Sequence, residues 1–199
     1  MAIVPARVAT VLLAAGQSRR FGATDKLAAP LAGRALGGFA ADTLRGIGFA
    51  ARFVVVGPGG AGFDAEGFDE VVNPNPERGQ ASSLALGVAA ARKRGAEACL
   101  VALADMPLVT AEHFAALLAR YRGDADAVAS AAPGGRAMVP ALFGRGRFAA
   151  IEALTGEGGA RVLLGQAEII TCAPQMLADV DEPRALEAIE EMLASRAGF

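Results

Sequence analysis

Two hydrophobic rhythms alternate along this chain. Short continuous apolar runs of strand length are separated by longer stretches in which apolar residues recur every three or four positions. Residues 8–15 (VATVLLAA), 53–56 (FVVV) and 98–104 (ACLVALA) are runs of the first kind, and 70–72, 127–132, 138–143 and 168–172 are shorter or less apolar examples. Leu36, Phe39, Ala40 and Leu44 fall at helical spacing and predict a helix over 35–46. The Ala/Leu-rich stretch to residue 94, the segment 110–122 and the segment 184–195, with Leu186, Ile189, Met192 and Leu193, predict three more, and 148–154 predicts a short one. Strand, connection, helix, strand is the grammar of a parallel sheet. Strands 127–132 and 138–143, joined by Pro133-Gly134-Gly135-Arg136, predict a small antiparallel hairpin. The run 98–104 has no polar face, so it is expected at the centre of the sheet. The expected fold is an α/β three-layer sandwich.

Composition narrows the picture. With 199 residues, 53% hydrophobic and 20% charged, the chain can bury one sizeable core, and a single domain over 1–199 is expected. A net charge of −2 speaks against a general nucleic-acid binder or a basic membrane surface. Cys99 and Cys172 lie in apolar segments and read as free thiols. His113 is the only histidine, which leaves His-rich metal sites and Ser-His-Asp triads almost nothing to draw on, and its place in an amphipathic helix predicts a solvated position. No apolar run reaches transmembrane length, and MAIVPARVAT lacks the basic start and long apolar middle of a signal peptide. A cytoplasmic protein is expected.

Candidate chemistry concentrates where the runs end. The first breaks at Gly16 into a loop with Ser18, Arg19, Arg20, Gly22 and Lys26. Glycine brings backbone N–H groups close to a ligand, and the cations complement phosphate oxygens. The plainer reading is a surface turn with solvated basic residues. Gly79, Gln80, Ser82 and Ser83 stand at the start of the second helix, where free N–H groups and hydroxyls hold an anion or read a base edge; an ordinary serine cap is the alternative. Asp105 tips the central run, where open α/β sheets place ligands and where a carboxylate with phosphate oxygens makes a magnesium site. It also reads as a turn-forming Asp before Pro107. Asp179 and Asp181 flank Val180 in an extended segment, so they share one side, although Asp181 also reads as a helix cap. GPGGAG at 57–62 matches a dinucleotide fingerprint literally, but residues 63–69 carry no helical stripe and Pro58 removes a donor, so a loop is expected.

LAAGQSRRFG…K, NP…GQASSL, LADMPLV, PALF…LTGEGGAR and DVDEP appear in that order over nearly the whole chain. In this the chain resembles the molybdopterin nucleotidyltransferase branch of the Rossmann-like NTP transferases, and within it the molybdenum cofactor cytidylyltransferases. The resemblance implies a Rossmann-like sandwich and a nucleotide-binding loop that includes Leu13, Ala14, Ala15, Gly16, Ser18, Arg20 and Lys26. Arg20 and Lys26 would meet the triphosphate, and Ser82 and Ser83 would lie near the nucleotide or its acceptor. Asp105 would be a magnesium ligand, with Asp179 or Asp181 beside it. Ala15, where guanylyl relatives tend to carry Gly, implies CTP as substrate. The implied reaction passes CMP to molybdopterin cofactor with loss of pyrophosphate and serves a xanthine-dehydrogenase-type apoenzyme.

The chain departs from the pattern in four places. Ala23, Thr24 and Asp25 put three residues between Gly22 and Lys26 where relatives have two. Met138-Val139-Pro140 replaces a Gly-His-Pro sequence, Glu157 replaces an Asp, and DVDEPRAL replaces DIDTPEDL. The nucleotide half is the more faithful. Two other readings stand beside the leading one. One is a nicotinamide- or flavin-dependent oxidoreductase on the same fold, resting on GPGGAG; the other is a non-catalytic module that holds nucleotide or cofactor for a partner.

Overall fold

The computed structural model describes residues 2–16, 21, 25–155, 161 and 163–197. The strands are β1 (Val8–Leu13), β2 (Pro30–Leu31), β3 (Arg34–Ala35), β4 (Ala51–Val56), β5 (Asp69–Val72), β6 (Ala98–Leu103), β7 (Ala127–Ala131), β8 (Met138–Gly144) and β9 (Glu168–Thr171). The helices are α1 (Leu36–Arg45), α2 (Gln80–Lys93), α3 (Ala111–Arg120), α4 (Phe148–Glu152) and α5 (Pro183–Ala197).

Seven strands form one sheet in the order β5-β4-β1-β6-β8-β7-β9. β6 is its middle strand, as its unbroken apolar run requires. The first four neighbours pair in parallel, β8 runs antiparallel to both β6 and β7, and β9 rejoins parallel to β7. The predicted hairpin is therefore present, and β8 is the strand that breaks the parallel rule.

Period-two alternation along the strands sends side chains to two separate cores. Val8, Leu12, Val54, Leu100 and Val128 face α1, α3 and α5, meeting Leu36, Leu44, Phe114, Leu117 and Ile189. Val11, Leu13, Val55, Val101 and Phe143 face α2 and α4, meeting Leu84, Val88, Phe148 and Ile151. This is the three-layer sandwich. α2 lies so close to the sheet that a Cβ on Gly87 would come within 2.4 Å of the Val11 side chain and 3.0 Å of Val55. Gly87→Ala is expected to destabilise the fold by about 1–3 kcal/mol through overpacking, read as a lower midpoint in urea; an unchanged midpoint would mean that α2 shifts without cost.

Two elements differ from expectation. Pro30 and Gly33 read as chain breaks, but β2 and β3 pair as a two-stranded ribbon closed by Ala32 (φ 46) and Gly33 (φ 83). Two left-handed residues make the tight turn that suits a hairpin, and alanine at the first of them hides the signal. His113 is not solvated. It is 5% exposed, and its Nε2 lies 2.7 Å from Ser130 Oγ, which donates to the Pro140 carbonyl at 2.6 Å. The Ser130 proton is committed to Pro140, so His113 carries its proton on Nε2 and donates to Ser130.

Burial holds the His113 pKa below its ordinary 6.5, so the neutral ring is the folded form. Above pH 6.5 both states of the chain are neutral there. As pH falls below that value the unfolded chain takes the proton first, and stability falls until the pH passes the lower folded pKa. The expected slope in that window is at most about 1.4 kcal/mol per pH unit for one proton. Urea unfolding of wild type and His113→Gln at pH 7.5 and 5.5 checks this; equal pH dependence in the two proteins would overturn it.

Among the described residues, no helix is long and apolar enough to cross a membrane. Cys99 is buried and Cys172 half-buried, and both are free.

Candidate active site

β1 ends at Leu13, and Ala14 continues its ladder by donating its N–H to the Val55 carbonyl at 2.8 Å. Ala14 and Ala15 are buried, and the chain reaches solvent at Gly16. The chain comes back to the sheet edge at a short turn, Lys26–Ala28, where Asp25 accepts the Leu27 N–H at 3.0 Å. That cap fixes the direction in which Lys26 leaves the backbone.

Lys26 is only 8% exposed, and its Nζ meets two carboxylates. It lies 2.6 Å from Asp105 Oδ2 and 3.0 Å from Asp181 Oδ1. Asp105 sits just past the tip of β6, and its backbone carbonyl accepts the Val180 N–H at 3.0 Å. Val180 is fully buried, so the extended chain turns Asp179 and Asp181 outward to one side, as the spacing predicted. Asp181 reaches Lys26, and Asp179 stands near enough for its charge to act on Asp105. Burial of Lys26 opposes its charge, but Asp105 and then Asp181 outweigh that and raise its pKa, so it is a cation at neutral pH. Burial lifts the Asp105 pKa above the usual carboxylate range, the Lys26 ammonium pulls it back, and Asp179 and Asp181 push it up again.

The opposite wall is the start of α2. Gly79 (φ 90) turns the chain into the helix, in a conformation that glycine adopts without strain. Ser82 does not cap the helix; its hydroxyl donates to the Gly79 carbonyl at 2.8 Å. Leu13, Ala14, Ala15, Gly16, Lys26, Gly79, Gln80, Ser83 and Asp105 all line one cleft of about 320 Å³ at the C-terminal edge of the sheet. Ser82 and the two late aspartates stand beside the cleft without lining it. Ser18 and Arg20 lie outside the described residues, as do Gly22 and the second glycine loop with Glu157.

Pro76 and Glu77 also line the cleft, and no pattern in the sequence marks them for it. Asn73, in the Asn-Pro stretch that precedes GQASSL, is not among the candidate site residues. It is 2% exposed, and its Nδ2 donates to both Ser82 Oγ and Ser83 Oγ at 2.9 Å. The Asn-Pro step that opens NPNP is its signal, because asparagine there folds back on the chain, and Asn73 Oδ1 does accept the Asn75 N–H at 3.0 Å.

Asp105 could hold a metal. Its Oδ1 is buried and among the described residues has no hydrogen-bond partner, a costly state for a carboxylate oxygen unless a ligand meets it. Among the described residues no three side chains of the metal-ligating kind cluster to make an all-protein cage. Magnesium does not need one: it takes one or two carboxylates and completes its shell with water and phosphate oxygens. The donor set fits that habit. GPGGAG offers no competing site. Gly57 and Gly60 pair as a bridge, and no helix opens within the motif or directly after it, so the helix N-terminus that a pyrophosphate needs is missing.

Comparison with known proteins identifies the family. The chain is 32% identical over 170 residues to the purine catabolism protein PucB of Bacillus subtilis, covering 80% of this chain and 81% of that one. It is 34% identical over 147 residues to a phosphoenolpyruvate guanylyltransferase of Conexibacter woesei, covering 67% of this chain and 63% of that protein. The crystal structure of an Rv0371c homologue from Mycobacterium sp. strain JC1 superposes with a TM-score of 0.83 over 97% of this chain and 100% of its own, at 26% identity. Residues 10–170 match the family described as the MobA-like NTP transferase domain. The chain therefore belongs to the MobA-like NTP transferases, a family of nucleotidyltransferases.

Proposed function

We propose that this nucleotidyltransferase passes CMP from CTP to the molybdopterin cofactor and releases pyrophosphate. The observation that carries the reading is the juxtaposition of Lys26, Asp105 and Asp181 at one end of a cleft floored by Leu13 to Gly16. Ala15 lines the cleft, and the resemblance in which guanylyl relatives tend to carry Gly at this point supports CTP. The Bacillus subtilis relative is named for purine catabolism, and xanthine is a purine, which supports delivery to a xanthine-dehydrogenase-type apoenzyme.

Nucleotidyl transfer asks for alignment and charge neutralisation more than covalent work by the protein. The backbone from Leu13 to Gly16 and the start of α2 would hold the nucleoside between them. Lys26 keeps its charge at neutral pH and would move from the carboxylates to the phosphate chain, neutralising the leaving pyrophosphate, with Arg20 in the same role. Asp105, with Asp179 or Asp181, would hold magnesium. When bound, the metal neutralises and orients phosphate oxygens. The displacement of Gly-His-Pro by Met138-Val139-Pro140 bears on the acceptor end alone.

Pyrophosphate release measured with magnesium and molybdopterin cofactor, comparing CTP, GTP, ATP and UTP, tests the proposal. Release with CTP well above the others is expected. Release with GTP instead would overturn the base assignment, and no release with any nucleotide from folded protein would overturn the reaction.

A further inference from the structure

Asn73 is a buried polar side chain with every hydrogen-bonding group spoken for. Its backbone N–H extends the β4–β5 ladder to the Val56 carbonyl at 2.8 Å, and its Oδ1 accepts the Asn75 N–H at 3.0 Å. That second bond decides which way round the amide sits, because a backbone N–H can only meet the oxygen. Both hydrogens of Nδ2 therefore point to the serines, one to Ser82 Oγ and one to Ser83 Oγ, each at 2.9 Å.

A serine hydroxyl that accepts from an amide has its own proton left to give. Ser82 gives its proton to the Gly79 carbonyl at 2.8 Å. Ser83 differs: among the described residues no group accepts its proton, and Ser83 lines the cleft with Gln80 and Ala15. Two adjacent hydroxyls are thus set to different tasks by one amide. The first is closed into the helix start, and the second keeps its proton to give.

We infer that Asn73 is a positioning residue that fixes Ser83 as a hydrogen-bond donor toward the nucleoside of the bound nucleotide, selecting an acceptor oxygen or ring nitrogen at that point. Asn73 touches neither nucleotide nor reacting atoms; it acts through the direction of the Ser83 proton. The inference rests on the cleft being the nucleotide site.

The test is a double-mutant cycle on CTP affinity, measured by isothermal titration with magnesium and no acceptor, on variants whose melting curves show them folded. Ser83→Ala and Asn73→Ala are each expected to weaken CTP binding about three- to tenfold, the range for one neutral hydrogen bond. In the Ser83→Ala background the Asn73→Ala change is expected to cost nothing further, because its effect passes through a hydroxyl already gone. Where Asn73→Ala does not fold, Asn73→Ser serves. It keeps an oxygen for the Asn75 N–H but offers at most one hydrogen to the two serines, and the same non-additivity is expected. In turnover the loss should appear in KM and not in kcat. Additive losses, or CTP affinity unchanged by either Asn73 variant, would overturn the inference while leaving the nucleotide site standing. Wild-type protein that binds none of the four nucleotides would overturn both.

Discussion

Asp105→Asn is expected to all but abolish nucleotidyl transfer in a protein that stays folded. The substitution keeps the size and shape of the side chain and one oxygen for Lys26, which also retains Asp181 as a partner. At the position of the unpartnered, buried Oδ1 it puts an amide N–H, a donor where a cation needs an acceptor. The loss is therefore local and electrostatic. Removing one preorganised contact of this kind costs about 100- to 1000-fold in rate, and losing a metal anchor belongs at the upper end. Pyrophosphate release and a thermal melt on the same sample check both halves of the claim. Full turnover by a folded Asp105→Asn protein would remove the aspartate from the proposed chemistry.

Lys26→Met has an equally large effect on rate and a second effect on stability. Lys26 is the cation that lets Asp105 and Asp181 stand within hydrogen-bonding reach of one point, with Asp179 nearby. Methionine fills the space of the stem and removes the charge. Breaking the mostly buried Lys26–Asp105 ion pair from one side costs about 3 kcal/mol, because the buried Asp105 carboxylate loses its compensating charge. Asp105 then relieves the repulsion by taking up a proton or a divalent cation. The expected result is a lower melting temperature that millimolar magnesium or manganese restores without any nucleotide. In wild type the ammonium already compensates both carboxylates, and metal alone should shift the melt little. Metal titrations of the two proteins, followed by thermal melting, check this. A Lys26→Met protein as stable as wild type and indifferent to metal would show that the ion pairs carry no weight.

Much of this architecture was legible in the residues, for identifiable reasons. β6 is apolar at every position, and only a strand with a layer on each side makes use of that, so its central place could be read directly. Helical spacing located α1, α2, α3 and α5 to within a few residues. The cleft was legible because functional groups fall where β1 and β6 end and where α2 begins, three places that a parallel sheet brings to one edge. The pairing of Lys26 with Asp181, 155 residues away, was not legible, since local pattern carries no information about which distant charge will be opposite. His113 was misread because it flanks the apolar stripe of Phe114, Leu117 and Leu118, and only the hydroxyl of Ser130 on β7 makes burial of its ring tolerable. The β2–β3 ribbon escaped notice because alanine occupies a turn position that asparagine or glycine usually marks.

The tie between Lys26 and the segment around Val180 has a consequence for the order of events in synthesis. The floor of the cleft and Lys26 are translated first, Asp105 comes about halfway along, and Asp181 comes late. A nascent chain can lay β1, β4 and β6 side by side long before the last carboxylate leaves the ribosome. Until then Asp105 lacks both the backbone donor from Val180 and the second partner of its lysine. The segment around Val180 therefore works as a clasp: it closes the charge pair only once the chain has returned to Lys26 from 155 residues away.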